Sequence, residues 1–389
     1  MEAELRPVSD ARSGPEPRPL SALMPPAALA EEVAAGFVRR TRHPELPLSV
    51  YAYTARCFLT QHWTPVTRWT RGLIVDDAAG TIAAQAFPKF FNAEQHAPES
   101  PFAPPLPADE PFELYDKVDG SLGIVFHHAG RWRAATKSSF TSPQAAWAQA
   151  WLDAHDTGTL SPGTTYLAEV VYPENRIVVD HGSRSTLVLL GGYGPDGTEV
   201  PLADLAAGWD GIGDVVGSHR PGSLAGLLHD AAHNVGPDGR PLAGTEAEGW
   251  VVRFASGVRA KVKLGDYVRL HATMTRTNER GVWEVLSRGG EPAKLFDRMP
   301  DEFRAWILTV AARLTRERDA WAAAAHAAFA AIGPAPDRPA FARKATDPSL
   351  KTYRAALFLL YDNRPIDELA WRAVRPATAG VPFLVGDPG

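Results

Sequence analysis

The chain has 389 residues, enough for two or three domains that each bury a core, with 45% hydrophobic and 22% charged residues. That composition excludes a disordered chain, and 40 Lys+Arg against 45 Asp+Glu, a formal net charge of -5, excludes a molecule drawn to nucleic acid by its overall field. One cysteine, Cys57, excludes an intramolecular disulfide and a zinc site of several thiolates, and fits a reducing, cytoplasmic compartment.

Residues 1–26, rich in proline and without an apolar run, read as a disordered leader that carries no export signal. Ala27 to Arg40 reads as a helix, since Leu29, Val33 and Phe37 recur near helical spacing. From about Leu48 to His271 the chain is a succession of short runs of β type. They include Ser49 to Tyr53, Arg71 to Val75, Thr81 to Ala86, Phe112 to Tyr115, Leu122 to Phe126 and Trp132 to Thr136. Helical pieces, Pro143 to Ala154 and Ser223 to His233, are interspersed, so the region reads as α+β with antiparallel hairpins and not as a βαβ repeat. Pro98 to Pro111 reads as a rigid surface connection between two halves of the sheet system. Beyond His271 the texture is helical, over Asp301 to Ile332, Leu350 to Tyr361 and Pro365 to Val374. The alanine-rich stretch Ala320 to Ile332 is too short for a membrane span. The expected organisation is a leader 1–26, an α+β domain 27–274 and an all-α domain 275–389.

The informative segment is KVDGSLG, Lys117 to Gly123, between two apolar strands. By itself a lysine beside an Asp-Gly turn is a solvated hairpin. Glu169, in the middle of an apolar strand, needs a partner if it is buried. Glu248 heads the strand EGWVVRF, and Lys261 and Lys263, two apart in AKVKLGDYV, point to one face of a strand. Arg71 and Lys89 precede apolar runs. Any one of these cations reads as a surface charge or a structural ion pair to Glu169 or Glu248. Together they describe a polyphosphate site around one lysine, whose attack on a phosphate requires its pKa to be lowered by desolvation or by neighbouring cations such as Lys261, Lys263 and Arg71.

In order, Arg71-Gly72, Lys89-Phe90-Phe91-Asn92, Lys117-x-Asp119-Gly120-Ser121, Glu169 with Pro173-x-Asn175-Arg176-Ile177, Glu248-Gly249 and Lys261-x-Lys263 resemble the motif series of the phage-type RNA ligase 1 family of covalent nucleotidyltransferases. The resemblance covers about Tyr53 to His271. It implies a ligase adenylation domain over 27–274 and ATP-dependent joining of RNA 5'-phosphate and 3'-hydroxyl ends through lysyl-AMP and RNA-adenylate intermediates. In its terms Lys117 is the nucleophile, and Lys261 and Lys263 stabilise charge on the α-phosphate. Arg71 and Lys89 hold the nucleotide, Glu169 contacts the ribose and Tyr53 contacts the nucleotide. Asp119, Gly120, Phe91 and Lys137 support the site, and Glu248 helps place Mg²⁺ or Mn²⁺. Ser138 follows Lys137 where the family often has glycine. The resemblance further implies broken RNA, tRNA among it, as substrate, a separate end-healing kinase or phosphatase, and a helical domain that lends RNA specificity. Two other patterns compete. HDAAH, His229 to His233, mimics a zinc protease motif with Asp230 in place of glutamate. The pair His127-His128 falls on opposite faces of a strand and does not chelate one ion as a unit.

Overall fold

The structure is a computed structural model that describes residues 17–220, 222–276, 278–291 and 301–376. It divides into two compact units that part between Val268 and Arg269.

The first unit opens with a 3-10 turn, Leu20–Ala22, whose Leu20 amide donates to the Gly80 carbonyl at 3.0 Å, and helix α1 (Pro26–Ala34). Leu20 and Met24 are buried, so the chain is part of the fold from residue 17 onward, although its proline content predicts a loose leader. Residues 1–16 of that leader lie outside the described residues. The helix expected to reach Arg40 stops at Ala34. Gly36 takes φ +76, which costs glycine little, and the chain continues as strand β1 (Val38–Arg42). The physical reason is pairing: β1 lies antiparallel to β2 (Leu48–Tyr53), with Val38 opposite Tyr53, and the ladder satisfies backbone groups that helical spacing alone would have turned inward.

Three sheets follow. The first runs β1-β2-β3-β4, with β3 at Arg71–Asp76 and β4 at Thr81–Ala84, all antiparallel. Between β2 and β3 lie two short helices, α2 (Ala55–Leu59) and α3 (Pro65–Trp69), each started by a threonine whose side chain accepts an amide of the first turn. The second sheet is built from β7 (Ser121–His128), β8 (Arg131–Thr136), β9 (Thr165–Val171), β10 (Thr186–Tyr193) and β11 (Asp214–Val215), in the order β11-β10-β9-β7-β8. The third is built from β5 (Phe91–Asn92), β6 (Phe112–Asp116), β12 (Ser218–His219), β13 (Gly249–Phe254) and β14 (Arg259–Lys263), in the order β12-β6-β13-β14-β5. The proline-rich span before β6 therefore carries the chain across one sheet, from its β5 edge to β6, with Phe102 packed on Phe91 at 4.8 Å. Helices α4 (Pro143–Asp153) and α5 (Leu202–Trp209) cover a core of Ala148, Leu152, Tyr166, Leu187, Leu189 and Trp209. Helix α6 (Leu224–Ala232) precedes β13.

Helix α7 (Gly265–Arg276) spans the division. The described part of the second unit is helical throughout: α8 (Glu279–Ser287), α9 (Asp301–Ile332), α10 (Arg338–Ala345), α11 (Arg354–Tyr361) and α12 (Asp367–Ala373), with a 3-10 turn at Pro348–Leu350. Ala325, Ala356 and Ile366 form one small core and Phe341, Ala345 and Leu357 another. Among the described residues no helix is long and apolar enough to cross a membrane.

Candidate active site

The third sheet presents three rows of side chains to one face. Strand pairing sets Glu113 beside Arg253 and Arg259, Tyr115 beside Val251 and Lys261, and, where Lys117 donates its amide to the Gly249 carbonyl at 2.9 Å, Lys117 beside Gly249 and Lys263. Because side chains alternate with a period of two, Arg259, Lys261 and Lys263 stand in line along β14. Facing this sheet is the second one, which contributes Glu169 from the interior of β9, paired with Leu122 and Val188. Arg71, Lys117, Glu169 and Lys261 line one cavity of about 760 Å³, with Tyr115, Leu190, Val251 and Phe90 as apolar walls.

Lys117 sits at the turn between β6 and β7, and the turn is pinned from three directions. The Asp119 carboxylate accepts the Val178 and Val179 amides, each at 2.8 Å, and the Tyr267 hydroxyl at 2.8 Å. The Asp119 carbonyl lies 2.8 Å from the His181 ring nitrogen. Asn175, buried, donates to the Val170 carbonyl at 2.7 Å and accepts Ser121 Oγ at 3.1 Å. Gly120 is required by close approach: a Cβ there would stand 2.7 Å from the Val170 carbonyl oxygen and 3.0 Å from Glu169 Cγ.

Glu248, buried just before β13, holds two lysines at once, Lys117 Nζ at 2.6 Å and Lys263 Nζ at 2.8 Å. Burial alone would raise the Glu248 pKa, but the two ammonium groups hold it below the usual carboxylate value. Burial favours the neutral amine at Lys117, yet Glu248 and Glu169 overcome it and push its pKa above the ordinary lysine value. The sequence predicts the opposite, a nucleophile whose pKa is lowered by cations, and the difference arises because Glu248, 2.6 Å away, and Glu169 outweigh burial at Lys117. The lowered amines are others. Burial, then Lys89, Lys117 and Arg71, depress Lys261, and burial, then Arg71, Lys137 and Lys263, bring Lys89 to about 7. Burial raises Glu169 to about 7 despite Lys117 nearby.

Beside this group Lys89 sits within an aromatic cage. Its Nζ is 5.7, 5.3 and 5.2 Å from the ring centroids of Phe58, Trp63 and Phe91. Lys137, buried after β8, sits over the Tyr53 ring at 5.4 Å, and Tyr53 meets Trp63 edge to face at 5.0 Å. All twelve residues singled out in the sequence thus fall in three neighbouring groups: the cavity wall, the Glu248 clamp with the Asp119 turn, and the aromatic cage. Sequence reasoning missed Tyr267, Trp63 and Phe58, which act through space with no motif of their own. It also missed Arg259, although the alternation Arg-Ala-Lys-Val-Lys placed it on the same face as Lys261. His229 on α6 and His233, which caps its C-terminal end, have rings 4.2 Å apart, and among the described residues no three His, Cys, Asp or Glu side chains converge on a metal position. His127 meets Trp132 at 5.4 Å while His128 faces Asp76 at 4.0 Å, on opposite faces of β7.

Mainly antiparallel sheets thus enclose a cationic cavity, with a lysine at a Lys-x-Asp-Gly turn on its wall. Residues 69–268, just over half of the chain, match the family model described as RNA ligase, of the phage type, and the chain belongs to that family. A protein of Autographa californica nuclear polyhedrosis virus described as a bifunctional polynucleotide kinase/RNA ligase is 30% identical over 79 residues, 19% of this chain and 11% of the viral one. The chain thus spans about a tenth of that relative. Among solved structures, an archaeal ATP-dependent RNA ligase is 14% identical over 76% of this chain and 79% of its own, with a TM-score of 0.43. A protein of Aquifex aeolicus described as an ATP-dependent DNA ligase is 13% identical over 76% and 75%, with a TM-score of 0.41. A Naegleria gruberi RNA ligase variant with ATP and Mn is 12% identical over 42% and 52%, with a TM-score of 0.31.

Proposed function

We propose that the chain is an ATP-dependent RNA ligase that joins 5'-phosphate and 3'-hydroxyl RNA ends. The observation that carries this reading is Lys117, held at a rigid turn on the wall of a cavity that also exposes Arg71, Glu169 and Lys261. Once its proton has left, the Lys117 amine attacks the α-phosphorus of ATP, forming an N–P bond as the bond to pyrophosphate breaks. An oxygen of an RNA 5'-phosphate then attacks the phosphorus of this AMP, a P–O–P bond forms, and the N–P bond breaks to release the Lys117 amine. A 3'-hydroxyl attacks that activated phosphate, the phosphodiester forms and AMP leaves.

Each neighbour has a physical task. Lys261 and Lys263 meet the charge that develops on the α-phosphate oxygens, and Arg71 and Lys89 take up the remaining phosphates. Glu169, entering from the opposite sheet, accepts a ribose hydroxyl. Tyr53, Phe91 and Lys137 shape the edge of the phosphate site, and Asp119 and Gly120 fix the nucleophile's turn. Both oxygens of Glu248 are engaged by Lys117 and Lys263, so a divalent ion, Mg²⁺ or Mn²⁺, would be held there only if one of those lysines let go, as Lys117 would on becoming a neutral nucleophile. Such an ion supplies charge neutralisation on the phosphates. Broken RNA, tRNA among it, is the substrate class this assignment suggests, with a kinase or phosphatase supplying the two ends. A cytoplasmic setting suits such a substrate.

The test is incubation with α-labelled ATP. The expected result is label on the protein that survives heat and is lost in acid, followed by its transfer to 5'-phosphorylated RNA and circularisation of the RNA. Absence of label in folded protein would refute the reading, and label that never reaches RNA would assign the AMP to another acceptor.

A further inference from the structure

Lys89 is only 7% exposed and its ammonium position is surrounded by the faces and edges of Phe58, Trp63 and Phe91. Among the described residues no carboxylate comes within ion-pair distance of it. The buried carboxylate Glu248 is already occupied by Lys117 and Lys263. The charged groups that act most strongly on Lys89 are cations, Arg71 from β3, Lys137 from the end of β8 and Lys263 from β14, and Lys89 in turn acts on Lys261 of β14. From α3, the Arg68 carbonyl accepts the Lys89 amide at 2.6 Å, and the Arg68 guanidinium stands 5.8 Å from the same Phe91 ring. From α2, Cys57 is buried and its thiol is pushed up to about 11, so it brings no charge at neutral pH.

We propose that Lys89 is uncharged in the free protein and takes up a proton when a triphosphate binds, so that nucleotide binding is coupled to proton uptake at this residue. The ligand's identity rests on the ligase reading; the coupling follows from the cage. Desolvation and like charge both disfavour the ammonium, and the attraction of the ring faces for a cation offsets only part of that. Burial and the cations bring the group to about 7, so at pH 8 about nine molecules in ten carry the neutral amine. A phosphate chain beside Arg71, Lys89 and Lys261 reverses the sign of the local field. The ammonium then becomes the favoured form, and the proton comes from solvent. No bond in the ligand forms or breaks in this step. The consequence is a site that binds polyphosphate more tightly as pH falls through the neutral range and releases pyrophosphate together with a proton.

The experiment is calorimetric titration of the full-length chain with α,β-methylene ATP, which cannot be cleaved by Lys117, at pH 8. Two buffers of different ionisation enthalpy give the protons taken up per site, and inorganic tripolyphosphate serves as a second probe that needs no nucleoside recognition. The expected uptake at Lys89 is close to one proton. Lys89→Arg, charged at every accessible pH, and Lys89→Gln, never charged, should each take up about one proton fewer. Uptake unchanged from the natural protein in both would overturn the proposal, and so would failure of either polyphosphate to bind. Lysyl-AMP formation without proton uptake sinks the coupling but leaves the ligase reading intact. Uptake on tripolyphosphate binding without lysyl-AMP formation does the reverse.

Discussion

Lys117 and Glu248 face each other at 2.6 Å, and that contact sets the pH behaviour of the proposed nucleophile. The folded lysine titrates above its ordinary value, so its neutral form grows as pH rises. Formation of lysyl-AMP at saturating ATP should therefore speed up steadily from about pH 6 to about pH 9, and a flat profile would show that proton loss from Lys117 does not limit the step. Lys117→Ala should abolish labelling by α-labelled ATP while the fold survives, because Glu248 keeps Lys263 at 2.8 Å. Lys89 carries the opposite linkage. Its folded pKa of about 7 lies below the unfolded value, so the cost of holding it is fully present below pH 7 and fades as pH rises toward the unfolded value of 10.5. Lys89→Met, apolar and flexible enough to fill the cage, should raise unfolding stability by roughly 2–4 kcal/mol at pH 7, less at pH 10, while weakening ATP binding. Urea unfolding at both pH values measures it. A variant less stable than the natural protein would contradict the burial argument.

At the scale of elements, the site depends on two strands lying at a set distance. Gly249 stands between Lys117 and Lys263, with φ +138, and a Cβ there would come 2.1 Å from the Val262 carbonyl oxygen. Gly249→Ala should part β13 from β14 and cost at least about 2 kcal/mol in urea unfolding, with lysyl-AMP formation falling further than stability alone explains. Tyr267, on α7, holds Asp119 from the far side at 2.8 Å. Tyr267→Phe should cost about 1–2 kcal/mol, since Asp119 loses a donor within a buried site, and should slow adenylation without changing ATP affinity, as a kinetic titration of both would show. The strands that carry these residues were readable as alternating apolar runs. Helix α1 was over-extended in the sequence reading because the apolar residues Leu29, Val33 and Phe37 keep helical spacing up to the point where β1 pairs with β2, and a long-range ladder is invisible to local periodicity.

At the scale of the molecule, the two compact units invite separate roles. In the second unit Arg280, Arg313 and Arg318 are engaged with Glu284, Glu279, Glu317 and Asp319, so those cations are in part a structural network. Arg288, Arg316, Arg343, Lys351 and Arg364 make no ion pair among the described residues, and the Arg276 side chain lies outside them. If the second unit recognises RNA, a chain ending near residue 276 that remains soluble should keep labelling with ATP. It should also lose sealing of structured RNA selectively against a simple single strand, at fixed salt. An unchanged ratio of the two sealing rates would remove the specificity role.

The residue types and their order determined a great deal by themselves: Lys117 in its Asp-Gly turn, the paired Lys261 and Lys263, the buried-strand carboxylate Glu169, and the change from β to helical texture near His271. These are legible because each is a local pattern, a turn, a period of two or a period near 3.6. What only the tertiary structure decided is how charge is shared among them. Sequence spacing cannot say that Glu248 sits between Lys117 and Lys263, that Lys117 is therefore pushed above the ordinary lysine value while Lys89 and Lys261 are pushed below it, or that Phe58, Trp63 and Phe91 close around Lys89. Those outcomes depend on distances of a few ångströms between strands remote in sequence, and an ionisable group responds to such distances more steeply than to anything its neighbours in the chain impose.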